Sequence, residues 1–250
     1  MRTLNEIVAL YLTSVNRTSD DSDLDKRLVK SWIRTSRAIW VKNELNKGVA
    51  VSPLFIQPLG ILDLEVVDQS EYIPLGFNIL RTVKVIPNMI EIRGESVVTR
   101  IGPGVLTNAS YRFIAVERVP YIGSGRFDRN AIFGFLNPVD KRIYLVTRGT
   151  SLVHLSMRKM SLSTILEDPE DAAEFTFANG TPCYTNATMY PITEYLVGYM
   201  KDIIVNVDFK LFSAAHPDEY NDAKDEYKIS ASGMPKSGQT SGNNQQNEEE

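Results

Sequence analysis

The spacing of apolar residues changes twice along this chain. Near both ends of its ordered part they recur every three or four positions, which is typical of amphipathic helices. In the middle they alternate with polar residues, as in half-buried β-strands. Neither helical end has a partner of its own, so we expect the two ends of the ordered chain to pack together as one helical body. The pattern therefore predicts an α+β fold, in which this body carries an inserted, mostly antiparallel β region.

This interpretation divides the chain into four segments: 1–48, N-terminal helices of the body; 49–165, β-rich insertion; 166–212, C-terminal helices of the body; 213–250, extended arm and disordered acidic tail. The net charge is −4, but eight acidic and three basic residues follow position 216, so the rest is about +1. Beyond position 229 almost no large apolar side chain remains. Burial therefore cannot offset the entropy lost on ordering the tail.

Two helices are predicted near the ends of the body. The first covers residues 4–15 and begins with a capping box, in which the side chains of Thr3 and Glu6 each accept a hydrogen bond from the other's backbone amide. The other covers residues 192–212, and we expect its apolar series to pack with the first helix. The series is Ile192, Tyr195, Leu196, Tyr199, Met200, Ile203, Ile204 and Val207. A shorter helix is predicted at 168–177, capped by Asp168.

A longer helix is predicted at residues 23–47, with Asp21 or Ser22 as N-cap and Gly48 as the stop signal. Its apolar face is expected to pack on the core, with Trp32 and Trp40 both facing inward. The full face is Leu24, Leu28, Val29, Trp32, Ile33, Ile39 and Trp40.

Short strands bounded by proline, glycine or asparagine are predicted between these helices. The clearest is a hairpin that pairs residues 131–136 with 142–147 across a turn, where Pro138 suits the second turn position. The other predicted strands are 61–67, 82–86, 89–93, 97–101, 111–119 and 152–162.

The sequence contains no recognisable catalytic or metal-binding constellation. His154 and His216 have no neighbouring cysteine or carboxylate at ligand spacing, and Cys183 is the single cysteine, with no poised histidine evident. We therefore expect no enzymatic activity, no cofactor and no metal. No apolar run approaches the roughly 20 residues that cross a bilayer, so no membrane contact is expected. The acidic cluster is interpreted as helix capping: Glu167, Asp168, Glu170 and Asp171.

The second helix also carries basic residues within a narrow arc: Arg27, Lys30, Arg34 and Arg37. They are expected to remain solvent-facing in the isolated subunit. Such an arc could contact nucleic-acid phosphates, which favours a nucleic-acid-binding accessory protein as one function. It fits an acidic protein surface equally well, and a solvated outer face is the simpler interpretation.

Several segments resemble virion proteins of crAss-like, short-tailed phages of gut Bacteroidales. These are MRTLNEIVALYL at the start, residues 111–148, SLSTILEDPEDAAEF, and CYTNATMYPITEYLVGYMKDIIVNVDF. The resemblance is to neck or ring proteins that join portal to tail, and it covers most of residues 1–212. It implies a virion structural protein acting as head-to-tail connector, a portal adaptor.

The resemblance also implies partners and a location. Twelve copies would form a ring that meets the portal protein and other neck or tail rings, with possible non-specific contact to DNA in the channel. The protein would assemble in the host cytoplasm and reside in the virion neck. C-terminal arms would reach the portal or a neighbouring subunit, so residues 213–228 are expected to dock and 229–250 to stay mobile. The expected interface residues are Arg27, Lys30, Arg34, Arg37, Leu211, Phe212 and Tyr220.

Overall fold

In the computed structural model of the chain, the residues described are 2–16, 25–67, 78–104, 110–122, 131–147 and 158–211. The predicted arm and acidic tail at 213–250 lie outside them. Residues up to Phe209 belong to one compact unit. The segment boundaries at 48, 165 and 212 remain a prediction.

The described residues form three α-helices: α1 (Leu4–Asn16), α2 (Lys26–Asn46) and α3 (Glu194–Ile203). The backbone continues beyond α3 as a π-helical turn, Ile204–Asp208. The predicted capping box of α1 is confirmed, because the Thr3 amide donates to Glu6 Oε2 at 2.8 Å and the Glu6 amide to Thr3 Oγ1 at 3.3 Å.

The start of α2 differs from the prediction. Its N-cap is Asp25, whose backbone is extended and whose Oδ1 accepts from the Arg27 amide at 2.9 Å. The predicted caps, Asp21 and Ser22, are therefore wrong and lie outside the described residues, as does Leu24. The short helix predicted at 168–177 is a 3₁₀ helix, Pro169–Glu174, capped by Asp168 as expected. The other two described 3₁₀ helices are Pro53–Phe55 and Val116–Tyr121.

The described residues contain nine strands: β1 (Gln57–Val66), β2 (Asn78–Thr82), β3 (Glu91–Ile92), β4 (Glu95–Ser96), β5 (Val98–Pro103), β6 (Arg112–Phe113), β7 (Phe133–Asn137), β8 (Arg142–Thr147) and β9 (Lys159–Thr164). Seven of them form one sheet in the order β5-β9-β1-β2-β8-β7-β6, while β3 and β4 form a separate hairpin. All pairs are antiparallel except β6 with β7. The mixed helix-and-strand class and the mostly antiparallel pairing are as predicted.

The predicted hairpin is confirmed by β7 and β8, with Phe135 opposite Tyr144. Two predicted strands are wrong. Residues 82–86 are not a strand because β2 already ends at Thr82, although apolar alternation continues through the exposed Val83 and Val85. Of residues 111–119, only Arg112–Phe113 is a strand, β6. The chain then coils into a 3₁₀ helix whose amides bond locally, with the Arg118 amide donating to the Ala115 carbonyl at 3.0 Å.

Both faces of the sheet contribute to the core. Directly paired residues share a face: Leu80 opposes Leu145, which in turn opposes Gly134, on one face. On the other, Ile79 opposes Val146, which opposes Phe133, and all three belong to one buried hydrophobic cluster.

The sheet is nearly closed, since the Tyr111 amide beside β6 donates to the Ile101 carbonyl of β5 at 2.7 Å. Gly134 lies at this closure: a Cβ there would be 2.6 Å from Ile101 Cδ1.

Contacts of residues 2–11 with α3 join the N-terminal helix to the last described α-helix. The buried Tyr11 hydroxyl donates to the Val197 carbonyl at 2.7 Å, and Arg2 forms an ion pair with Glu194 at 2.8 Å. On α2, Trp32 and Trp40 are half-buried, and Trp40 stacks on Phe55 at 5.7 Å between ring centroids. A helical body distinct from the β region remains a prediction.

Gly60 lies in a bulge of β1, where the 175–183 loop approaches the strand backbone closely. Its φ is +65°, and a Cβ there would collide with the carbonyl oxygen of Thr176. The register of β1 against β9 shifts between Pro58 and Ile61, and the Ile61 amide donates to Thr176 at 3.3 Å. This bulge holds the 175–183 loop against the sheet.

We predict that Gly60→Ala lowers the free energy of unfolding by at least about 2 kcal/mol, because it adds both backbone strain and a backbone clash. Gly94→Ala is the matched control: its φ is +83° but nothing lies within 4 Å of the added Cβ, so strain alone should cost about 1 kcal/mol. Urea unfolding of both variants measures the difference. Equal losses would contradict the close approach at Gly60.

Candidate interaction surface

The four basic residues predicted to form an interface on α2 have different environments. Arg27 is exposed in the first turn and has no ion pair within the described part of the chain. Lys30 and Arg34 are half-buried, and Arg37 is fully buried. The expectation that all four face solvent is therefore wrong for Arg37 and only partly met for Lys30 and Arg34.

Arg34 and Lys30 pair with the acidic 3₁₀ helix that follows β9. Arg34 Nη1 lies 3.0 Å from Asp168 Oδ2, and its Nη2 contacts Glu170. Lys30 Nζ is 3.7 Å from Glu170 Oε1. The acidic cluster thus caps its own helix, as predicted, and also pairs with Lys30 and Arg34 of the basic arc, which the sequence interpretation missed. Burial raises the pKa of the Asp168 carboxyl, while Arg34 and Arg37 act in the opposite direction.

Arg37 donates hydrogen bonds to backbone carbonyls from two distant parts of the chain. Its Nε donates to Pro191 at 2.9 Å, and its Nη1 donates to Leu166 at 2.9 Å and, more weakly, to Glu167 at 3.5 Å. The guanidinium carbon lies 5.7 Å from the Phe55 ring centroid and 5.9 Å from that of Tyr190. Arg37 therefore holds the exit of β9 and the entry to α3 against α2.

Burial lowers the pKa of Arg37, yet a guanidinium stays charged at neutral pH. Removing this cation from water costs free energy. Arg37 contacts carbonyl dipoles and ring faces instead of a carboxylate, and these contacts offset that cost. A sequence signal existed for its burial. Val29, Ile33, Arg37 and Val41 recur at intervals of four and are the buried residues of α2.

We predict that Arg37→Met lowers the free energy of unfolding by about 2–5 kcal/mol, because at least two buried carbonyls lose a charged donor. Arg27→Met on the same helix is the matched control, and this surface change should cost less than about 0.5 kcal/mol. Urea unfolding monitored by circular dichroism compares them. A stability of Arg37→Met within 1 kcal/mol of wild type would show that the arginine does not hold these segments.

The remaining predicted interface residues lie at or beyond the end of the described chain. Leu211 is exposed, while Phe212 and Tyr220 lie outside the described residues. Only part of the predicted apolar series of the C-terminal helix is buried. Ile192, Leu196, Met200 and Ile204 are buried and Ile203 is half-buried, whereas Tyr195, Tyr199 and Val207 are exposed. Ile39, assigned to the apolar face of α2, is also exposed.

These exposed residues define the α3 outer face: Tyr195, Gly198 and Tyr199 of α3, with Val207 of the π-helical turn. The first three lie at positions i, i+3 and i+4, so they share one side of the helix. Tyr195 is 77% exposed and Tyr199 48%. Exposed apolar residues in this number are ordinary on a protein surface.

Few other features of the described residues suggest chemistry. Burial raises the pKa of the Cys183 thiol to about 11, opposed by Lys84, so the thiol is protonated at neutral pH. His154 and His216 lie outside the described residues. Within the described ranges, no group of three His, Cys, Asp or Glu side chains could hold a metal ion. An open cleft of about 430 Å³ lies beside the turn between β3 and β4.

None of the described helices combines the length and apolar character needed to cross a membrane. The family model for phage tail ring protein 2 of crAss-like phages matches residues 6–227, which is most of the chain. The chain therefore belongs to this family and is a structural ring protein of a phage virion. No curated protein matches the chain.

Proposed function

We propose that the protein is a head-to-tail connector, a neck ring or portal adaptor that forms an oligomeric ring between portal and tail. The observation that carries this function is the match to phage tail ring protein 2 over residues 6–227. The segments that resemble connector proteins of short-tailed phages support the position in the neck. The protein acts by packing, without catalysis or a cofactor, and resides in the virion after assembly in the host cytoplasm.

A ring subunit needs two different lateral surfaces, so that each copy contacts the next and the rotation closes the ring. The internal ion pairs of α2 favour a rigid subunit, since Arg34 and Lys30 bind acidic residues of the same chain. The partners proposed are copies of itself, twelve by resemblance, the portal protein and other neck or tail rings. Contact with passing DNA would be non-specific.

The basic arc of α2 gives the nucleic-acid-binding alternative little support, because most of its residues are buried or paired within the subunit. Of the four residues of the predicted basic arc, only Arg27 is exposed and outside an ion pair within the described ranges. A strong affinity of the isolated subunit for duplex DNA that falls steeply with salt, and that is lost in Arg27→Gln, would favour this alternative.

We predict that electron microscopy of the negatively stained protein shows closed rings, either of the protein alone or on its portal. Repeated identical contacts that close by rotation produce such a particle, and a portal surface can template it. Single subunits in both samples would contradict the connector function.

The C-terminal arm is proposed to anchor the ring to the portal or to a neighbouring subunit. The family match ends at residue 227, so the shared region includes the segment that carries Tyr220 and excludes nearly all of the polar tail. Leu211, Phe212 and Tyr220 would provide apolar anchors, because ordering about fifteen residues on binding costs entropy that polar contacts alone offset poorly.

Two truncations separate the arm from the tail. Ending the chain after Lys228 should leave ring formation and portal binding at the wild-type level, whereas ending it after Phe212 should weaken incorporation into the neck at least about tenfold. Co-sedimentation with portal measures both. The same result for the two truncations, whether normal or defective, would show that the boundary near residue 228 has no functional meaning.

A further inference from the structure

We propose that Asn179 is a site of spontaneous deamidation, in which the backbone nitrogen of Gly180 attacks the Asn179 side chain with the help of Thr181. Asn179 is the only asparagine of the chain that is followed by glycine. Glycine has no side chain to hinder the attack of its own nitrogen on the preceding residue. This modification does not depend on the proposed function, because it needs only the folded subunit and water.

Asn179 lies at the tip of the 175–183 loop, where residues 176–182 are all exposed. Two backbone hydrogen bonds close the tip. The Phe177 amide donates to the Thr181 carbonyl at 2.8 Å, and the Gly180 amide donates to the Phe177 carbonyl at 2.9 Å. Because the tip is exposed, water reaches the reacting groups and can replace the bond from the Gly180 amide at little cost.

The Asn179 side chain is held in the direction that the reaction requires. Its Oδ1 accepts from the Thr181 amide at 3.1 Å and from the Thr181 hydroxyl at 2.7 Å. A bond to the amide two residues ahead folds the side chain forward over the Asn179–Gly180 peptide. Cγ is therefore on the side of the Gly180 nitrogen, and holding the two groups together removes part of the entropic barrier to attack.

The donors of Thr181 also act on the charge of the carboxamide. Attack on Cγ turns the Asn179 carbonyl oxygen into an oxyanion, and hydrogen-bond donors already aimed at that oxygen stabilise the developing charge. The Thr181 hydroxyl makes the shorter of the two contacts. Thr181 is therefore both a positioning residue and an activating residue for this reaction.

The reaction balances with water as the only other reactant. The Gly180 nitrogen loses its proton to solvent and bonds to Asn179 Cγ, while the side-chain nitrogen leaves as ammonia, which gives a succinimide ring. Water then opens the ring at either carbonyl. One product is aspartate, and the other is isoaspartate, in which the backbone runs through the former side chain. Both products carry a new negative charge at position 179.

Isoaspartate is expected to loosen the loop from the sheet. The extra backbone atom lies between the two sides of the turn, where the Cys183 amide donates to the Phe175 carbonyl at 2.7 Å. The same loop provides the Thr176 carbonyl that accepts from Ile61 at the β1 bulge. Protein rich in isoaspartate should therefore unfold about 2–4 °C lower than fresh protein. Asn179→Asp adds only the charge and should unfold close to wild type.

Peptide mapping by mass spectrometry follows the conversion in full-length protein incubated in mildly alkaline buffer, and labelling with an isoaspartyl methyltransferase identifies isoaspartate. Thr181→Val keeps the amide donor but loses the hydroxyl, so it should slow conversion at least about threefold. Thr181→Ser keeps the hydroxyl and should convert like wild type. Thr185→Val is the matched control, because the Thr185 hydroxyl lies 3.0 Å from that of Thr188 in the next turn.

Conversion at Asn179, and not at the exposed Asn186 that precedes Ala187, is the expected result. An Asn179 that keeps its amide after a synthetic peptide of residues 175–183 has converted would overturn the site, because the fold would then protect it. Equal or faster conversion in Thr181→Val would overturn the role of Thr181. Ring formation is scored separately, so a failure of the connector function leaves this result unchanged.

Discussion

The buried guanidinium of Arg37 is the interaction on which the arrangement of helices and strands depends. It reaches carbonyls that lie 129 and 154 residues further along the chain, at Leu166 and Pro191. A hydrophobic side chain in its place could fill the space but could not donate to those carbonyls, which would stay buried without a partner. Because one side chain holds both segments, movement of α2 would disturb the exit of β9 and the entry to α3 together.

The contacts that α2 makes within the subunit limit which surfaces are left for assembly. The arc of α2 that faces the 3₁₀ helix is used internally, since Arg34 and Lys30 neutralise Asp168 and Glu170. Half-buried pairs of this kind are screened less by salt than exposed ones, so they should persist under physiological conditions. For a ring protein, these ion pairs leave Lys30 and Arg34 less available for contacts with neighbours.

Much of the fold could be predicted where local patterns decide structure. The capping box of α1 and the hairpin of β7 and β8 follow from residues a few positions apart. Long-range contacts decided the rest. Arg37 occupies a core position of α2 that its charge obscured, and Tyr195 and Tyr199 were counted as internal because apolar spacing does not show which side of a helix is covered. Val83 and Val85 continued an alternation after β2 had ended.

We infer that Arg37 stabilises the subunit from within and takes no part in binding other molecules. A reconstruction of the assembled ring at side-chain resolution tests this inference. We expect the guanidinium of Arg37 to be enclosed by its own subunit, within hydrogen-bond distance of the Leu166 and Pro191 carbonyls, at every position in the ring. An Arg37 side chain that reaches the channel, a neighbouring copy or DNA would contradict it.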